Sequence, residues 1–434
     1  MLRILVWYLK LCFNPSGNKQ RMAGKHLLKK RTYRLTDNTN RDVLIVLKSA
    51  YRIFKQGNKK YRNYTGIVID NSAAQTAIFD GSCKMMEQRI AHMRENNEKP
   101  GVFISRDTLQ CSFRINPESL ITIFVGVFIL FPVSIFAKQR RNIALILNEV
   151  TEAAYLLKIC RKYNITKIHF YCPYEKDANA LALLLMNKYI YINKLPSPNL
   201  LVTHNSEIIS NSISLGAPYQ EEELKYFSNT MLIDQMHKWT PELFHTYSET
   251  CISPNDNDRC IGFYSHGSWL RVKEGHTADP NGFYACEKAA LTALSEALKD
   301  LFKDWKLIIY LHPREKKPEN LEATQQYYTC IFGKSSFEFS DFNLKTAQQF
   351  SNSSIGFGGM STILFERLFA GYKTIMYTAH FKNFPLPESP IKSISPCTEQ
   401  ELHKCFKLAV LHSTKDFILQ TNTTKYTKES WLKN

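Results

Sequence analysis

From about residue 64 onward, short apolar runs alternate with longer stretches whose apolar positions recur three and four residues apart. The first arrangement predicts buried strands and the second predicts helices with one face in a core. "YTGIVID" (64–70), "GVFIS" (101–105), "KIHFY" (167–171) and "KYIYINKL" (188–195) read as strands. "ALILNEVTEAAYLLKICRKYN" (144–164) and "DANALALLLMN" (177–187) read as helices, the second with Asp177 placed to cap it. Between about 215 and 258 the pattern pauses: "EEELKYF" gives one helix, and the polar, turn-rich "SETCISPNDNDR" follows. It then restarts with strands at "CIGFYS" (260–265), "WKLIIYLH" (305–312), "SSIGFG" (353–358) and "KTIMY" (373–377). Helices are expected over 283–303, 318–328 and 343–350, and from Ser361 to a terminating Gly371.

Strand–helix alternation of this kind predicts parallel sheets covered by helices. The expected fold class is therefore α/β, with two Rossmann-like, doubly wound domains facing a cleft. The expected boundaries are a basic N-terminal arm at 1–62, a first domain at 63–215, a linker at 216–258, a second domain at 259–412 and a tail helix at 413–434.

One stretch breaks the alternation. Residues 119–137, "SLITIFVGVFILFPVSIFA", carry no charge, and Lys138, Arg140 and Arg141 follow at once. At 1.5 Å per residue a helix of this length would just cross roughly 30 Å of hydrocarbon. Pro132 would kink it, and basic residues on both sides give no orientation. Strand-like runs before and after it would place half a sheet across the membrane if it spanned. An interfacial or re-entrant segment is the favoured reading, with a core helix and a true span left open.

Charge sharpens this picture. Of the net +17, residues 1–62 supply +14: sixteen Lys or Arg against only Asp37 and Asp42. A basic arm beside an apolar segment gives the two signals that peripheral membrane binding requires. Nucleic acid is disfavoured, since the arm has neither interleaved aromatics nor a zinc finger. "MLRILVWYLKLCF" reads as an amphipathic surface helix, although a start at Met22 is also open. Eleven scattered cysteines without a CxxC pair indicate reduced thiols, a cytoplasmic setting and no zinc site.

The candidate chemistry lies at the ends of predicted strands, where a doubly wound sheet binds ligands. Ser265 and Gly267 end one strand; His312, Pro313 and Arg314 end another; Gly358, Gly359, Ser361 and Thr362 lead from a third into a helix. Glycines admit a ligand close to the backbone, and a helix N-terminus favours an anion. A protonated His312 or Arg314 would add a charge-assisted bond. Together these predict a nucleotide phosphate site, although "GFGGMST" is neither a Walker loop nor a dinucleotide fingerprint.

With "YLHP" (310–313) and "GGMSTILFE" (358–366), the C-terminal half resembles bacterial GT-B glycosyltransferases of the sialyltransferase and polysialyltransferase type. The resemblance covers roughly 165–412. It implies that His312, Ser361 and Thr362 hold the phosphate of a CMP-sugar donor, and that an acidic residue after a strand of the first domain is the general base. That family's acidic pair is followed by Gly. Here "CPYEKDANA" offers Glu175 and Asp177 instead, separated by Lys176, with Asp177 also suited to capping a helix. Glu366 is within reach of a donor ribose or serves at the surface.

The resemblance implies an inverting transfer to a glycan or lipid-linked acceptor at the cytoplasmic face of the inner membrane. It requires no cofactor beyond the nucleotide-sugar substrate, and no metal, since no DxD motif is present. CDP-glycerol or UDP- and GDP-sugar donors stay open, as does a non-catalytic membrane-associated protein of the same fold.

Overall fold

The computed structural model describes residues 44–56, 75–80, 102–105, 117–136, 140–170, 176–194, 208–215, 217–226, 231–238 and, apart from short gaps, 256–433. They fall into two compact units, each built on its own parallel sheet.

The first unit holds β1 (Thr76–Asp80), β2 (Val102–Ser105), β3 (Lys167–Phe170), β4 (Tyr191–Lys194), β5 (Ile208–Leu215) and β6 (Met231–Lys238), in the order β2-β1-β3-β4-β5-β6. Every neighbouring pair is parallel. Its helices are α1 (Ile45–Gln56), α2 (Pro117–Phe136), α3 (Arg140–Lys162) and α4 (Lys176–Met186). The strands are short and apolar because a parallel sheet is covered on both faces. Phe79, Ile104, Ile168 and Phe170 meet Leu156, Leu181 and Leu185 from the helices in one core.

Three strands here, β1, β5 and β6, have no counterpart among the expected ones. The run at 64–70 lies outside the described residues, and β1 takes the position beside β2 and β3. The strand β6 carries Asp234, Gln235, His237 and Lys238 on the sheet edge, so no apolar run announces it.

The second unit begins with α5 (Pro218–Tyr226) and continues through β7 (Cys260–Tyr264), α6 (Ser268–Lys273), α7 (Phe283–Ala297), β8 (Lys306–Tyr310), α8 (Pro318–Phe332), β9 (Glu338–Phe339), β10 (Ile355–Gly358), α9 (Thr362–Phe369) and β11 (Thr374–Met376). Three helices, α10 (Glu399–Leu411), α11 (Thr414–Gln420) and α12 (Lys428–Lys433), complete it. The all-parallel order β11-β10-β7-β8-β9 is doubly wound. The chain leaves β7 in one direction and returns to build β10 on its other side, which makes β7 and β10 the switch point. The chain thus has two parallel-sheet, Rossmann-like α/β units.

Three expectations need correction. The segment 216–258 is not a plain linker: α5 belongs to the second unit and β6 to the first. Glu222 fixes α5 there, accepting hydrogen bonds from Tyr426 Oη at 2.6 Å and Ser389 Oγ at 2.7 Å and pairing with Lys425. The 413–434 tail is not one helix but α11, a 3-10 turn and α12, broken where Asn422 takes a positive φ of 55°. Its Phe417, Tyr426 and Trp431 sit in the core of the second unit. The expected helix at 343–350 is a 3-10 helix, Thr346–Asn352.

Residues 119–136 do lie in a helix, but α2 divides its apolar side chains. Ile123 and Leu130 enter the core of the first unit beside α3, whereas Phe124 and Phe128 face outward. Among the described residues no helix is long and apolar enough to cross a membrane.

Candidate functional site at the strand ends of the second unit

The loop after β7 turns sharply at Gly267, whose φ of 65° is the left-handed region that glycine enters without steric cost. A side chain there would also collide with His312, since a Cβ would lie 3.0 Å from the His312 Cβ. The β7 and β8 ends therefore touch. The β10 end joins them through α7: a Cβ on Gly359 would lie 3.1 Å from the backbone of Glu287, and one on Gly358 would lie 2.8 Å from the Tyr264 carbonyl oxygen. Three strand-end loops and the start of α7 are packed into one cluster at the switch point.

Buried carboxylates hold this cluster together. Glu287 Oε1 accepts from the N–H of His266 at 2.6 Å and of Gly267 at 3.2 Å, and from Ser265 Oγ at 3.0 Å. Its Oε2 accepts from the N–H of Ser268 at 2.8 Å. Successive amides converging on one anion form a nest, and here the anion is internal. Desolvation raises the Glu287 pKa, against the opposing pull of those hydrogen bonds. Glu315 works the same way one loop over, accepting from Trp269 Nε1 at 2.5 Å, Tyr328 Oη at 3.1 Å and the His312 N–H at 2.8 Å. Burial, and then the neighbouring Glu287 charge, push its carboxyl up to about 7.

Ser265 and Gly267 do reach the strand ends as expected, but their hydroxyl and N–H donors face Glu287 rather than the exterior. His312 differs from expectation in charge. Burial, aided by the Arg271 and Arg314 guanidinium groups, lowers its pKa to about 4, so the imidazole is neutral near pH 7. Its Nδ1 accepts the Arg314 N–H at 3.2 Å, which places the ring proton on Nε2 as a donor. Pro313 and Arg314 are exposed, and the Arg314 side chain pairs with Glu274 at 3.4 Å.

Ser361 is the N-cap of α9 and is buried, yet its hydroxyl makes no capping bond. The first turn of α9, beginning with half-buried Thr362, is thus left uncapped by its own side chain. Glu366 lies a full turn further on, close enough to Tyr219 of α5 to help raise that phenol's pKa, which desolvation dominates. Glu175 lies outside the described residues. Asp177 stands within the first turn of α4, inside the helix rather than before it as a cap.

Sequence reasoning missed Glu287, Glu315 and Arg271. Glu287 had a signal: it lies in the apolar stripe of α7 with Ala290, Leu291 and Leu294. Glu315 had none, standing among four charges in "REKK".

Two concavities of the second unit lie elsewhere. One of about 620 Å³ is lined by Phe302, Lys306, Leu307 and Glu338, at the amino ends of β8 and β9. Another of about 440 Å³, near Asp258, Arg259 and Lys373, also lies at amino ends. Topology and polar convergence favour the opposite, carboxyl end of the sheet as the ligand site. Among the described residues, no group of three or more His, Cys, Asp or Glu side chains is placed to hold a metal.

No protein-family model matches the chain, and no curated protein matches it. Solved structures of similar fold include a UDP-GlcNAc 2-epimerase from Neisseria meningitidis bound to UDP-GlcNAc, with TM-score 0.44 and 11% identity over 83% of this chain and 99% of that one. Acinetobacter baumannii MurG gives TM-score 0.37 and 11% identity over 81% and 100% of the two chains. Anabaena HepE in complex with UDP and glucose gives TM-score 0.39 and 10% identity over 81% and 98%. Likeness at this level concerns the course of the chain and carries no chemistry.

Proposed function

We propose that the chain is an inverting glycosyltransferase that moves a sialic acid-like sugar from a CMP-sugar to a glycan acceptor. The observation that carries this reading is the convergence of His312 and the uncapped start of α9 at the switch point of a parallel, doubly wound sheet. That end of the fold suits a phosphate, and its donors need not be charged to bind one. The CMP-sugar assignment rests on the resemblance carried by "YLHP" and "GGMST".

In the proposed reaction an acceptor hydroxyl oxygen attacks the anomeric carbon as the bond from that carbon to the phosphate oxygen breaks. The electron pair leaves with CMP, and the acceptor proton passes to a carboxylate, Glu175 or Asp177. The Nε2–H of neutral His312 and the first N–H groups of α9 stabilise the charge appearing on the departing phosphate. Glu315 keeps His312 in place by accepting its backbone N–H.

Nucleotide release from CMP-, CDP-, UDP- and GDP-linked donors, with and without EDTA, tests the proposal. The expected result is EDTA-insensitive release from a CMP-sugar, falling about 10²–10³-fold in His312→Ala. Release from a UDP- or GDP-linked donor instead would overturn the CMP assignment but keep a transferase. Release lost in EDTA would overturn metal independence. Absence of nucleotide binding would sink the phosphate site itself.

A further inference from the structure

Eight of the fourteen exposed large hydrophobic side chains among the described residues lie on two neighbouring helices of the first unit or in the turn that opens one of them. On α2 they are Ile121, Phe124, Phe128, Ile135 and Phe136; on α1 they are Leu47 and Tyr51, with Leu44 in the turn just before it. The spacings are helical. Ile121, Phe124 and Phe128 are three and seven residues apart, as are Leu44, Leu47 and Tyr51, so each set forms one stripe along its helix. Both helices bury their other faces, Val46 and Ile53 from α1 and Ile123 and Leu130 from α2, in a single core with α3. Phe124, Phe128 and Phe136 are 68%, 84% and 88% exposed. Scattered exposed apolar residues need no explanation, but a contiguous cluster of large ones does.

Charge identifies what covers it. Lys48 is exposed on α1 between Leu47 and Tyr51, and Arg140 and Arg141 open α3 four residues after Phe136. The first 62 residues, to which α1 belongs, carry a net +14. An anionic bilayer surface complements this basic stretch of chain and accepts the phenylalanines below its headgroups.

We infer that the α1–α2 face of the first unit is a membrane-docking surface that lies flat on an acidic phospholipid bilayer and inserts Phe124 and Phe128 into the headgroup–acyl boundary. The shared core keeps α2 parallel to the surface, since rotating it into a crossing would expose Ile123 and Leu130. The inference does not depend on the proposed reaction.

Flotation of the full chain with vesicles of phosphatidylcholine, alone or mixed with phosphatidylglycerol, reads it directly. Wild type is expected to float with the mixed vesicles and to stay bound as salt is raised. The double variant F124S/F128S should lose about tenfold or more of that binding and retain only a salt-labile remainder from the basic arm. Leu411→Ser, which removes an exposed apolar residue from the second unit, should float as wild type does. Equal, salt-resistant binding by wild type and F124S/F128S would overturn the inference. So would wild type that does not float, including one that instead dimerises through this face. Should the double variant not fold, Phe128→Trp keeps the inference testable. Brominated lipid should quench its fluorescence beyond that of wild type, and no added quenching would refute insertion.

Discussion

Toward the carboxyl ends of β3, β4 and β5 in the first unit, where Lys194 is also buried, a network of neutral side chains joins the strands. Asn193 lies between His169 Nδ1 at 3.0 Å and Ser214 Oγ at 3.1 Å, and it accepts from Ser212 Oγ at 2.7 Å. At the carboxyl ends of β7 and β8 in the second unit, two carboxylates do the corresponding work. The neutral network ties side chains of three strands to one another. The carboxylates tie loop backbone instead, and Glu287 alone gathers three amides and a hydroxyl. Hydrogen bonds to a buried carboxylate contribute more than those to a neutral amide, so losing that acceptor costs its donors more. The difference suits a loop cluster that must hold one shape for a ligand.

The largest expected effect follows from that. Glu287→Ala takes the Glu287 acceptor from the His266 and Ser268 N–H groups and from Ser265 Oγ, leaves the Gly267 N–H to Ser265 Oγ alone, and should cost about 3–5 kcal/mol of stability in denaturant unfolding. Asn193→Ala should cost only about 1–2 kcal/mol. Equal losses would break the comparison between the two sheets.

The pH dependence sharpens it. The Glu315 carboxyl is raised from 4.5 to about 7, so the folded state holds a proton there that the unfolded state has released. Its contribution is fully present below pH 4.5 and is lost as pH rises through 7, on the order of 3 kcal/mol. His312, lowered to about 4, opposes it over the acid part of that window, so the readout is the difference between wild type and Glu315→Gln. That difference should slope between pH 4.5 and 7; a flat difference would remove the buried-carboxylate account.

His169 in the first unit has the opposite sign. Burial, then Lys167, lowers it to about 4, so its contribution is present above pH 6.5 and is lost as pH falls toward 4. His169→Gln should flatten stability against pH across that window.

The smallest effect belongs to an arginine. Arg314 and Glu274 are both about half exposed, and Arg314→Gln should change stability by less than about 0.5–1 kcal/mol. Arg367, fully buried between Tyr264 and Tyr372 and donating to the Ser353 carbonyl at 2.6 Å, should cost several times more when replaced by Met. Thermal melts of the two variants would show the contrast.

Much of this was legible in the residues. The strands β7, β8, β10 and β11, the helix α7 and the stop near Gly371 follow from apolar runs and breakers, because a parallel sheet buried on both faces leaves uninterrupted hydrophobic segments. The edge strand β6 was not legible, since one side faces solvent and tolerates Asp234 and Lys238. Nor was the crossing of α5 and β6 between units, which depends on Glu222 meeting Ser389 and Tyr426 far along the chain.

The sequence by itself determined two α/β units, the basic arm, the apolar segment and the residues that end each strand, because these depend on period and composition within a few turns. Only the tertiary structure decided how those residues are used. It turned Ser265 and Gly267 inward to an acid on α7, made His312 neutral by burying it near two guanidinium groups, and divided α2 between a core face and an exposed one. Desolvation and long-range hydrogen bonds set those outcomes, and both depend on partners that local sequence does not contain.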